Sequence, residues 1–207
     1  MTRLLPLAEN AHADALQGAF DQYRRSLGFV PNSVLIMQRR PRVVKALAEL
    51  ASAVWDPASE VDLGFKRLIS HVASRASGCQ YCMAHTAGGA LHLGVDPAKL
   101  EAVWEYRTSS LYSEPERVAL DFSIAAASVP NAVDDELFAE MKKHWTDDQI
   151  VEITAVISLF GFMNRWNDTM ATPLEPEPAG VGETYLARNG WRPGKHAEPS
   201  AIDSEAP

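Results

Sequence analysis

The chain has 207 residues, with 19 lysines and arginines against 27 aspartates and glutamates, for a formal net charge of −8. Its hydrophobic content of 46% and charged content of 22% are ordinary for a single globular domain. The excess of acidic residues argues against nucleic acid and anionic membranes as partners, because binding to either requires a basic face. Unbroken apolar runs are only a few residues long and the first one breaks at Pro6, so we predict neither a transmembrane segment nor a secretory signal, and we expect a cytoplasmic protein.

Apolar residues recur at helical spacing along most of the chain, whereas the alternation typical of strands is nearly absent. Two capping boxes, Ser77 to Gln80 and Thr146 to Gln149, mark helix starts, and Gly78 marks the end of the helix before the first box. The sequence therefore predicts an all-α, compact helical bundle. In chain order the predicted helices cover residues 8–26, 41–55, 60–77, 77 to about 92, from 97, from 114, 135–145 and from 147.

The last 35 residues differ in composition from the rest. Residues 173–207 hold six of the 13 prolines, which predicts an irregular tail after a helical domain of residues 1–172. Tyr185 and Trp191 are candidate anchors for this tail, and we expect disorder beyond Pro199. Residues 67–85 and 152–170 align without gaps but with few identities, which is consistent with a duplicated helical unit.

The two cysteines, Cys79 and Cys82, form one Cys-x-x-Cys pair. A bridge between them closes too short a loop to stabilise the fold much, so the pair is expected to be redox-active or metal-binding. Its place at the start of a helix favours the thiolate form, because backbone N–H groups and the helix dipole stabilise negative charge there. His85 follows Cys82 by three residues and shares its helix face, so it is the candidate base. This spacing assigns Cys82 as the nucleophile and Cys79 as the resolving thiol.

Two other interpretations of the cysteines stay open. They could be small buried side chains, or they could bind zinc with His85 and a fourth ligand such as His71 or His92. Structural zinc usually takes ligands from separated segments, and three ligands on one helical turn are cramped, so the spacing favours redox chemistry. No metal or cofactor is expected.

Residues 77–86, SGCQYCMAHT, resemble the signature of the carboxymuconolactone decarboxylase superfamily, and most closely its branch related to alkylhydroperoxidase D. Residues 28–32 (GFVPN), the following pair at 40–41 (RP) and residues 164–168 (NRWND) resemble the family's entry region and the polar end of its late helix. The resemblance covers residues 26–172. It implies an all-helical homo-oligomer that works as a peroxidase in antioxidant defence, without metal, haem or flavin.

The resemblance also implies roles for single residues. Cys82 would attack the peroxide oxygen of a hydroperoxide substrate, and the sulfenic acid so formed would condense with Cys79 into a disulfide. A dithiol or thioredoxin-like partner would then reduce that disulfide. His85 would be the base, although the family histidine often stands one residue later, where this chain has Thr86.

One departure from the family concerns the proton relay. The reference peroxidase has a glutamate twelve residues before the first cysteine, where this chain has Arg67, which cannot act as a base. His71, one helical turn later, is the nearest replacement. Glu152, which the internal similarity places opposite Arg67, is a second candidate acid.

Two rival functions remain on the same scaffold. The first is a redox-active or zinc-binding protein without peroxidase turnover. The second is a carboxymuconolactone decarboxylase-like lyase, although typical decarboxylases of the superfamily lack this cysteine pair.

Overall fold

The computed structural model describes residues 2–197, and within that range the chain is helical with no strand. This confirms the prediction of an all-α fold. The ten α-helices are α1 Ala13–Leu27, α2 Asn32–Met37, α3 Pro41–Val54, α4 Leu63–Ala76, α5 Gln80–His92, α6 Pro97–Glu101, α7 Glu114–Ala127, α8 Asp135–His144, α9 Asp147–Met170 and α10 Pro176–Val181.

Helix α4 lies at the centre of the bundle and packs against α5, α7 and α9. Every residue from Gly64 to Ser74 is buried, so its polar side chains need partners inside the protein. The hydroxyls of Ser70 and Ser74 donate to carbonyl oxygens one turn earlier, at 2.8 and 2.7 Å. The central helix therefore brings polar groups into the core next to the cysteine-bearing helix α5.

Helix α9 begins at the predicted capping box. The Thr146 hydroxyl accepts from the Gln149 amide at 3.2 Å, and the Gln149 side chain accepts from the Thr146 amide at 3.0 Å. Two otherwise unpaired N–H groups are satisfied in this way, which fixes the start of a helix of 24 residues. Its far end carries Asn167 to the cysteine pair.

Residues 173–197, predicted as an irregular tail, form short helical turns that pack on the bundle. After α10 come a π-helical turn at Gly182–Leu186 and 3₁₀ turns at Ala187–Asn189 and Gly194–His196. Trp191 is buried, and its indole N–H donates to the Gln80 carbonyl at 3.0 Å, so it anchors this segment to α5 as predicted. The disorder expected beyond Pro199 concerns residues outside the described range.

None of the helices within residues 2–197 combines the length and apolar character needed to cross a bilayer.

Candidate active site

The cysteine pair lies at the junction of α4 and α5, where the chain reverses direction. The Gly78 amide donates to the Arg75 carbonyl and the Cys79 amide to the Ser74 carbonyl, at 2.9 and 3.1 Å. Together with the left-handed φ of +73° at Gly78, these bonds form a Schellman motif that ends α4. Because this motif uses residues 77–79, the predicted N-cap at Ser77 is wrong, and α5 begins two residues later.

Cys79 is the N-cap of α5. Its sulfur accepts a hydrogen bond from the Cys82 amide at 3.4 Å, which places Cys82 at the third helical position. Both cysteines are buried and unbridged. The predicted position of the cysteine pair at the start of a helix is therefore present in the structure, with the Cys79 sulfur bonded to the Cys82 amide.

The sulfur of Cys82 also contacts the end of α9. The Asn167 amide donates to it at 3.4 Å, and the Thr172 hydroxyl in turn donates to the Asn167 oxygen at 2.9 Å. Burial and the neighbouring Cys79 raise the pKa of the Cys82 thiol well above its ordinary value, and the Asn167 hydrogen bond offsets only part of this. The expectation of a lowered pKa at the helix start is wrong for Cys82, because burial and the neighbouring Cys79 disfavour the charged form of this thiol.

His85 is paired with an acid from the tail. Its Nε2 atom lies 2.7 Å from Oε2 of Glu175, and its ring stacks on Tyr81 with centroids 4.2 Å apart. The Tyr81 hydroxyl donates a hydrogen bond to the same carboxylate at 2.8 Å, and the backbone N–H of Asn32 donates another. Within residues 2–197 no hydrogen bond joins His85 to Cys82, although both line one cavity.

His85 and the backbone amide of Asn32 determine the charge of Glu175. Burial by itself raises the pKa of this carboxyl. The charge and hydrogen bond of His85, with the Asn32 amide, outweigh burial, so the pKa lies below the ordinary glutamate value. Glu175 is therefore a largely buried carboxylate, 12% exposed, that orients His85.

The two relay candidates taken from the sequence lie elsewhere. His71 is fully buried, with Nδ1 at 2.9 Å from the Thr86 hydroxyl and 3.1 Å from the Met83 carbonyl, and it is not among the residues that line the cavity. Burial lowers the pKa of His71 to about 4, so it is neutral at physiological pH. Glu152 forms an ion pair of 2.9 Å with the buried Lys66. The structure instead pairs Glu175 with His85, and of these two residues only His85 lines the cavity.

The cavity itself has a volume of about 430 Å³ and lies between α1, α3, α5 and α9. Cys82 lines it, whereas Cys79 does not. Most of its wall is apolar or aromatic, and its polar members include Arg67, His85 and Asn167. Aromatic and aliphatic wall residues include Tyr23, Leu47, Trp55, Leu159, Phe160 and Met163.

Metal binding finds no support in the described part of the chain. Residues 2–197 contain no group of three or more His, Cys, Asp or Glu side chains placed to hold an ion. The two histidines considered as the fourth zinc ligand are also engaged or exposed: His71 is bonded to Thr86, and His92 is exposed.

Sequence reasoning missed Glu175 and Tyr81, and it placed Asn167 only within a supporting motif. Glu175 is 90 residues from His85, and no local pattern connects two such positions. The available signal was weak: an acidic residue directly before Pro176, at the start of a short helix.

Comparison with known proteins supports the resemblance. The model of the carboxymuconolactone decarboxylase family matches residues 41–124, which run from α3 into α7. The chain is 28% identical over 153 residues to the uncharacterized protein YnjA of Escherichia coli K12, covering 74% of this chain and 84% of that protein.

Two solved structures share the fold over most of their length. The debrominase Bmp8, solved as a Cys-to-Ala variant in complex with 2,3,4-tribromopyrrole, is 32% identical with a TM-score of 0.83, covering 88% of this chain and 97% of that chain. An uncharacterized peroxidase-related protein from Ralstonia eutropha JMP134 has an alkylhydroperoxidase AhpD core. It has a TM-score of 0.74 at 23% identity, and the match covers 86% of this chain and 94% of that chain. At that identity the second likeness concerns the fold alone.

Proposed function

The chain belongs to the carboxymuconolactone decarboxylase and alkylhydroperoxidase D-like superfamily, and from this premise we propose that it is a thiol-dependent peroxidase that reduces organic hydroperoxides with the pair Cys79 and Cys82. The observation that carries the proposal is the position of the two sulfurs. Cys82 faces an apolar cavity, and Cys79 lies directly behind it as the N-cap of the same helix. This arrangement suits a substrate that meets one thiol and leaves both sulfurs oxidised.

The proposed reaction begins with loss of the Cys82 proton. Because burial raises the pKa of this thiol, a proton acceptor is needed, and His85 is the acceptor that lines the same cavity. Glu175 holds the imidazole in place and stabilises its positive charge. The Asn167 amide, which contacts the Cys82 sulfur, stabilises the thiolate.

The thiolate then attacks the terminal oxygen of the hydroperoxide. The O–O bond breaks, the alkoxide takes the proton from His85 and leaves as an alcohol, and Cys82 becomes a sulfenic acid. The Cys79 thiol attacks this sulfur, so that water leaves and a disulfide forms. A dithiol or thioredoxin-like partner returns the pair to thiols by exchange. A homo-oligomeric assembly remains part of this proposal.

The test is consumption of cumene hydroperoxide with dithiothreitol as the electron donor. We expect turnover by the wild type and none by Cys82→Ser. After one equivalent of hydroperoxide, Cys79→Ser should keep one sulfenic acid that dimedone labels, whereas Cys82→Ser should not. Equal labelling of the two variants would overturn the assigned roles, and no consumption by the wild type would overturn the peroxidase proposal.

A second candidate, reductive dehalogenation of an aromatic ring, is favoured by the likeness to Bmp8 over 97% of that chain. Here the Cys82 thiolate takes the halogen as a sulfenyl halide, and the ring carbanion takes a proton. Cys79 then displaces halide to form the same disulfide, so two thiols supply the two electrons. Bromide release from 2,3,4-tribromopyrrole, measured by ion chromatography in parallel with hydroperoxide consumption, distinguishes the two reactions.

A further inference from the structure

Arg67 is a buried cation for which the described residues supply no counter-ion. The side chain is only 9% exposed, its Nε atom has no hydrogen-bond partner, and no ion pair involves its guanidinium within residues 2–197. Burial lowers its pKa to about 10, so it stays charged at neutral pH. Glu175, the acid that pairs with His85, is already bonded to three donors. A buried charge without a partner is costly, and this points to a partner outside the protein.

The protein provides a shaped slot for this guanidinium. One side is the indole of Trp55, with the guanidinium carbon 3.9 Å from the ring centroid. On the other side is Gly89, where a Cβ atom would come within 2.9 Å of Nε and 3.0 Å of the guanidinium carbon. Glycine inside a helix is unfavourable, so its presence in α5 here makes room for Arg67.

Stacking on tryptophan does not by itself explain the burial. Arg75 lies over Trp104 at the same 3.9 Å, yet Arg75 is exposed to solvent. An arginine can therefore make this contact in this fold without leaving water. Arg67 differs in that it lines the cavity that Cys82 also lines.

The size of the cavity indicates the kind of molecule that would meet Arg67. About 430 Å³ is within the range of small-molecule sites and far larger than a peroxide group alone. Its aromatic and aliphatic wall favours a ring or another apolar body. Resting on the proposed function, we propose that the substrate reduced at Cys82 is an apolar, ring-bearing organic anion, and that Arg67 binds its negatively charged group.

The test measures binding to the full chain with two inert probes of the same shape, 2-naphthoate and the neutral 2-naphthamide. We expect the wild type to bind the anion about 10-fold or more tightly than the amide, as measured by calorimetry. Arg67→Met should abolish the preference, and Arg67→Lys should retain part of it. Arg75→Met is the matched control, since Arg75 makes the same stack on a tryptophan but is exposed and does not line the cavity. It should change the preference by no more than about twofold.

Naphthoate should also slow alkylation of Cys82 by iodoacetamide, which places it in this cavity. Three results would each overturn the proposal: equal binding of the two probes to the wild type, no binding of either probe, or a preference that survives Arg67→Met. The wild-type comparison alone decides if a variant fails to fold. Binding needs no electron transfer. Anion preference without hydroperoxide or bromopyrrole turnover would therefore count against the proposed reaction alone, and turnover without the preference would count against the anion site alone.

Discussion

Glu175→Gln removes the carboxylate that joins the tail to His85 while it keeps the size of the side chain. The glutamine oxygen can still accept from Tyr81 or the Asn32 amide. Its NH₂ group, however, faces Nε2 of His85, which lies 2.7 Å from the carboxylate in the wild type. The variant therefore loses the charge-assisted bond and retains only neutral ones.

The magnitude follows from the three hydrogen bonds. Bonds to a charged group contribute about 1.5–3 kcal/mol each and neutral ones about 0.5–1.5 kcal/mol, so we expect the free energy of unfolding to fall by about 1–3 kcal/mol. Because the pKa of Glu175 is lowered in the folded state, its stabilisation is full above the unfolded-state pKa of about 4.3. It is lost as the pH falls through the lower folded-state pKa.

Urea unfolding followed by tryptophan fluorescence, from about pH 6 down to about pH 3, measures this difference across that window. Wild type and Glu175→Gln should differ most at the upper end and converge at the lower end. Glu177→Gln is the matched control because Glu177 is exposed and two residues away, and its effect should stay within about 0.5 kcal/mol. A difference that is independent of pH, or equal to that of the control, would refute the ion-pair argument.

Three further experiments test other parts of the structure. Gly182→Ala places a methyl group inside the Trp191 indole and should lower the free energy of unfolding by about 1–3 kcal/mol. Gly180→Ala is the control, because the space around Gly180 is open, and it should not destabilise the protein. Urea titration compares the two variants. Glu152→Gln leaves the buried Lys66 without its counter-ion and should lower the free energy of unfolding by about 1–3 kcal/mol in the same assay. An unchanged free energy of unfolding would show that the remaining hydrogen bonds of Lys66 suffice. Alkylation of Cys82 in the free protein should be slow at neutral pH and rise steeply in alkaline solution, since burial raises its pKa; a rate that is already maximal at neutral pH would contradict the buried-thiol environment.

The sequence predicts the helices well because their signals are local. The capping box at Thr146 and the apolar periodicity of α4 each involve residues within a few positions of one another. The predicted start of α5 is two residues too early for an equally local reason. Gly78 is predicted to end α4, and a Schellman motif around it excludes a helix start before Cys79.

The chemistry around the cysteines depends on contacts that are distant in sequence. The pKa of Cys82 follows from burial, which the position of a residue in a helix does not reveal. Arg67 could be rejected as a base from its type alone, but its lack of a partner is a property of the packed core. Glu175 reaches His85 only because the tail folds back over α5.

The site is therefore divided between two parts of the chain. The sulfur pair belongs to the α4–α5 junction and needs only local structure, whereas the acid that orients His85 belongs to a segment held by the buried Trp191 and its bond to α5. In the proposed reaction, removal of the Cys82 proton depends on the half that comes from the tail, since burial disfavours the thiolate. Loss of the docked tail would deprive His85 of its carboxylate, so the proposed reaction predicts that docking of the tail and reactivity of the Cys82 thiol are coupled through Glu175.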